Sequence, residues 1–141
     1  MEELFWEGIM KRWIMGLLVL GLVNASALWA DGMGVKSKAV TLQGTLVDLA
    51  CYFDDGDSGD DHMGMKGCGK ACLKQGSPAG LVVGSQVYFL LFPAANFADY
   101  VGKTLQITGD LYGADALIPS KAALVSTSGN QPLHWSVKPM M

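Results

Sequence analysis

The chain has 141 residues, 16% of them charged, with a formal net charge of −3 at pH 7. This length sets an expectation of one domain, able to bury an adequate core without covalent staples. The weakly acidic balance, with no clustered cations, excludes a nucleic-acid binder that works through phosphate contacts.

The N-terminus reads as a secretory signal. Lys11 and Arg12 precede an apolar run from Trp13 to Val23, and small residues follow at Asn24, Ala25, Ser26 and Ala27. This is the order of a positive n-region, an apolar h-region and a small-residue cleavage site. The run is shorter than the roughly 20 residues that a comfortable membrane span requires. Residues 1–9, MEELFWEGI, are acidic and stand outside the pattern, so Met10 is the more natural start. Ala25-Ser26-Ala27 fits the cleavage rule, and a cut after Ala30 gives a mature chain starting at Asp31. The expectation is a signal peptide over 1–30, an exported protein of the periplasm or medium, and no membrane span once the signal is removed. A retained N-terminal anchor helix is the alternative. Residues 31–141 hold eight lysines and ten aspartates, with no arginine and no glutamate.

Residues 31–38 are a polar, glycine-containing linker. From Ala39, "AVTLQGTLVDLACYF" alternates in the manner of a strand, with Gly44 placed for a bend or bulge. Residues 54–67 are rich in Asp and Gly and form no regular element. "CGKACLKQG", 68–76, predicts a helical turn or two ending at Gly76, with Pro78 just beyond. "GLVVGSQVYFLLF", 80–92, predicts two strands joined at Gly84-Ser85. Phe97 and Val101 predict a short helix within 94–103. "TLQITGDLYG", 104–113, alternates again with a break at Gly109-Asp110. Residues 115–129 are a last strand, in which Pro119 implies an edge or a bulge. The tail, 129–141, has no clear period. Five short strands with a helix between the third and fourth give the predicted fold: all-β with short helices, a five-stranded OB-fold-like barrel over 39–128.

"QGTLVDLACYF", "GCGKACLKQGSPAGLVV" and "YVGKTLQITGDLY" together resemble small exported bacterial proteins with an OB-like domain. In that group a first strand ends in Cys, a His and a Cys-x3-Cys segment follow, and a strand of the form Gly-Lys-x-apolar-x-apolar-x-Gly comes later. The likeness covers about residues 39–126. It implies the architecture and a Cys/His loop, carried here by Cys51, His62, Cys68 and Cys72, and no activity.

The loop chemistry also stands on the residues themselves. The spacing is C-x10-H-x5-C-x3-C. If 68–75 is helical, Cys68 and Cys72 lie one turn apart on one face and can share an ion. With Cys51 and His62 they make a Cys3His set suited to tetrahedral zinc. Copper(I) also favours thiolate and thioether, and Met63 and Met65 stand beside His62 as possible extra ligands. The expected cofactor is thus a zinc or copper ion, held structurally or handled in the periplasm, with a periplasmic protein as a further partner in the second case. The alternative is a disulfide from Cys51 to Cys68 or Cys72 in a ligand- or protein-binding module without metal.

The aspartates of 54–61 do not complete an EF-hand, whose twelfth position falls on Met65 or Lys66 when counted from Asp54 or Asp55. They read as a solvated loop. His134 reads as a tail residue or a further ligand. Tyr52, Phe53, Tyr88, Phe89, Phe92 and Tyr100 read as core or barrel-end packing. No catalytic constellation stands out: a thiol beside His62 has no group to orient the histidine. A non-enzymatic protein is therefore expected, with thiol redox activity, which requires a reactive low-pKa cysteine, as the alternative.

Overall fold

The computed structural model describes residues 34–135. The signal peptide expected over 1–30 and the end of the tail, 136–141, lie outside them. Among the described residues six strands form: β1 (Ser37–Asp48), β2 (Ala79–Val83), β3 (Gln86–Leu90), β4 (Thr104–Tyr112), β5 (Ala116–Leu124) and β6 (Gln131–Pro132). Helices α1 (Leu49–Asp55) and α2 (Cys68–Lys74) lie between β1 and β2, and a 3₁₀ helix (Ala94–Tyr100) lies between β3 and β4.

Strands β3, β2, β1, β4 and β5 are neighbours in that order, and a parallel pairing of Phe89 and Leu90 with Ala116 and Leu117 closes the ring. The result is the closed, mixed five-stranded barrel of an OB-like fold, with every barrel strand flanked on both sides. The short β6 extends β5 beyond that ring through Ala123 and Leu124.

Two glycines make the closure sterically feasible. β1 pairs with β4 over its first part and with β2 over its last, and Thr45 pairs with both. At the preceding residue, Gly44, a Cβ would fall 2.3 Å from the carbonyl oxygen of Val82. Gly109 sits at a register shift opposite Pro119, where a Cβ would fall 2.2 Å from the carbonyl oxygen of Ile118. The expected bulge at Pro119 is present, but β4 runs through Gly109-Asp110 as one strand. It is irregular there rather than broken.

Three further expectations are corrected. The first strand stops at Asp48 instead of running to Phe53, because the Asp48 side chain accepts the amide of Ala50 at 3.1 Å and caps α1. Cys51 therefore lies on a helix and not on a strand. The last barrel strand ends at Leu124, short of 129. The tail is ordered at its start: Leu133 is buried, and Trp135 packs on Phe92 and Phe97 at 4.6 and 5.5 Å between ring centroids.

Leu46, Leu73, Leu81, Phe97, Leu105, Ile107 and Leu117 form the heart of the core. Fully burying such a side chain stabilises the fold by roughly 1.5–3 kcal/mol each. Leu73 brings α2 into this core, and α2 packs on the 3₁₀ helix. Gly69 allows the close approach, since a Cβ there would fall 2.8 Å from Val101 Cγ1. The connection from β1 to β2 is thereby held against one part of the barrel. Among the described residues no helix is long and apolar enough to cross a membrane.

Candidate metal centre

The β1–β2 connection is built from its N-terminal junction onward. Asp48, at the end of β1, is only 2% exposed. Its Oδ1 accepts the Ala50 N–H and the Ser77 hydroxyl, and its Oδ2 accepts the thiol hydrogen of Cys51 at 3.1 Å. Leu49 donates its amide to the carbonyl of Pro78 at 3.0 Å, which ties the two ends of the connection together. The first turn of α1 then places Cys51, buried, three residues beyond Asp48.

The other two thiols come from α2. Its N-terminus begins at Gly67, with φ 69°, and the aspartate loop supplies the caps that Gly67 cannot. Asp61 Oδ1 accepts the Gly67 amide at 2.8 Å, the Asp60 carbonyl accepts that of Gly69 at 2.9 Å, and Asp60 Oδ1 accepts that of Lys70 at 2.7 Å. These acceptors satisfy amides that a helix start leaves without intrahelical partners, and they complement the helix dipole. Asp57 folds its own turn through the Gly59 amide. The aspartates at 57, 60 and 61 are therefore working parts of the fold, which corrects the reading of the whole stretch as solvated. The loop also packs onto Gly102 at Ser58 and Gly59.

Cys68 and Cys72 lie on one face of α2, as the spacing predicts, and meet Cys51. The three sulfurs all lie within 4.8 Å of one another. Among the described residues this is the one group of three or more Cys, His, Asp or Glu side chains whose ligand atoms converge so closely. A zinc–sulfur bond of about 2.3 Å puts bound sulfurs about 3.8 Å apart, so small side-chain rotations suffice to enclose an ion. Cys51 is buried, while Cys68 and Cys72 are partly exposed, which leaves a route inward. All three are free thiols.

Burial, reinforced by the hydrogen bond to Asp48, pushes the Cys51 thiol up to about 12. Burial also raises Cys72, with the Cys68 thiol adding to it. Both shifts favour the protonated thiol at neutral pH.

His62 does not join the sulfur group. Its Nε2 pairs with Asp55 Oδ2, and its backbone forms a two-bond bridge with Met65 around Met63 and Gly64. His62 is buried, with 8% of the residue exposed, and lines an open pocket of about 500 Å³ together with Ala50, Cys51, Phe53 and Asp54. Met63 and Met65, at 79% and 56% exposure, stand out from the turn into solvent. His134 is exposed on the tail. Tyr88, Phe92 and Tyr100 pack on the core as expected. Phe53, however, is exposed and lies 6.1 Å from the ring of Phe89.

Asp48 and Ser77 are the participants that spacing did not reveal. One signal for Asp48 was visible: it is the single charge in the apolar run "TLVDLACYF". Comparison with known protein families, with curated proteins and with solved structures finds no match for this chain.

Proposed function

We propose that this is an exported metal-binding barrel protein, in which Cys51, Cys68 and Cys72 take up one zinc or copper ion. The convergence of the three sulfurs carries the reading. Thiolate sets of this kind select thiophilic ions, zinc and copper(I) foremost. The ion joins α1 to α2 and so ties the two helices of the long β1–β2 connection to each other. The sulfurs converge only in the folded chain, so binding of the ion adds its free energy to the folded state. Zinc in this structural role is the simplest form; delivery of zinc or copper to a periplasmic partner is its extension. Export rests on the Lys11 to Ala27 pattern alone.

The nearness of the sulfurs also supports a second reading, a disulfide from Cys51 to Cys68 or Cys72 in a metal-free binding module. One set of measurements separates the two: intact mass, thiol count and metal content of protein isolated from the periplasm. Three free thiols with about one ion per chain support the metal reading. A mass lower by two hydrogens, one free thiol and no ion overturn it in favour of the staple.

A further inference from the structure

We propose that the fourth ligand of this centre is the buried carboxylate of Asp48, giving a Cys3Asp set for a divalent ion. The inference rests on the metal reading above and specifies it. The two oxygens of Asp48 are used unequally. Oδ1 is anchored by the Ala50 amide and the Ser77 hydroxyl, neither of which is a ligand that must lose a proton to a metal ion. Oδ2 accepts the Cys51 thiol, 3.1 Å away. Metal binding breaks the three S–H bonds and sends the protons to solvent, with no change of oxidation state. Oδ2 then faces a thiolate, and a buried anion without a partner is costly. Bonding to the ion removes that conflict. Its present separation from Cys51 Sγ is near the value of about 3.5 Å expected for oxygen and sulfur on one tetrahedral zinc.

Charge identifies the class of ion. Three thiolates and one carboxylate carry four negative charges, and a dication halves them, whereas copper(I) leaves three in a site where Asp48 and Cys51 are buried. Oxygen is also a ligand that zinc accepts readily and copper(I) does not favour. His62, whose Nε2 is engaged by Asp55, remains outside the set.

The test is zinc-edge X-ray absorption on the full chain, reduced and loaded with zinc. Three sulfurs and one oxygen, without the outer-shell scattering of an imidazole, are expected. Imidazole scattering, or a shell of sulfur alone, overturns the assignment to Asp48 and leaves the metal reading standing. Failure of the reduced wild-type chain to take up zinc overturns both. Variants give an independent measure. Asp48→Asn is expected to lower zinc affinity at least about tenfold and to alter the absorption bands of the cobalt(II) form. His62→Gln is expected to change neither, and the reverse pattern overturns the proposal. Because Asp48 also caps α1, an Asp48→Asn chain that does not fold leaves the decision to the wild-type spectrum. There, outer-shell carbon scattering of a carboxylate, which a water ligand lacks, supports the proposal and its absence overturns it.

Discussion

Asp48 shows how one residue can serve three elements. Its carboxylate ends β1, starts α1 and receives Ser77 from the far end of the connection, a contact spanning 29 positions. That span is why its role is not legible in the sequence, whereas the shared face of Cys68 and Cys72 is local and was. The thiols themselves give a pH prediction. Cys51 rises from an ordinary value near 9 to about 12, through burial and the Asp48 contact. A group whose folded value is raised adds stability below its unfolded value and loses it as pH climbs toward the folded one. The metal-free protein should therefore weaken between about pH 9 and 12, seen as a falling urea midpoint. A flat midpoint across that window counts against the buried thiol. Metal binding has the opposite sign, since protons must leave: zinc affinity should rise with pH, with a limiting slope near three protons per ion. Competition with a chromophoric chelator measures it, and a pH-independent affinity is incompatible with three protonated thiols.

Helix α2 is short, and its stability is supplied from outside. Its buried side is set by Leu73, its close approach to the 3₁₀ helix by Gly69, and its first amides by Asp60 and Asp61. The Asp60→Ala change removes one such acceptor and should cost about 1 kcal/mol in denaturant unfolding. It should also weaken zinc binding, because Cys68 lies in the same turn. Leu73→Ala should cost roughly 2–5 kcal/mol by leaving a cavity. An Asp60→Ala protein with unchanged stability and unchanged zinc affinity would show that the cap does not position the thiol. Lys70 and Asp99 also pair across the two helices; the lysine holds the Asp99 carboxyl below its usual range, but both side chains are well exposed and the pair is screened.

For the whole molecule, the centre joins the one long connection of the barrel to itself. A ligand that binds only the folded state adds stability by mass action, about 2.7 kcal/mol at a free concentration of a hundred times Kd. Zinc should therefore raise the thermal midpoint of the reduced chain, and a chelator should reverse the rise. Cys51→Ser should abolish the zinc-dependent part while leaving a folded barrel, because the core of Leu46, Phe97, Leu105 and Ile107 does not depend on the sulfur. An equal zinc response in that variant would place the ion elsewhere. Closure itself depends on Gly109: valine there must displace the Ile118 carbonyl, so Gly109→Val should unfold the barrel or open it between β4 and β5.

The order of strands, the hairpin at Gly84-Ser85, the bulge signalled by Pro119 and the common face of Cys68 and Cys72 were written locally, in periods of two and of four residues and in turn chemistry. Those features follow from neighbours along the chain, so composition and spacing suffice for them. The meeting of Cys51 with the α2 thiols, the use of Asp60 and Asp61 as caps, the pairing of His62 with Asp55 and the docking of Trp135 on Phe92 did not follow in the same way. Each requires the β1–β2 connection or the tail to fold back onto a formed barrel. No local pattern encodes which side chains such a return brings together, because packing and the need to satisfy buried polar groups choose them only once the core exists.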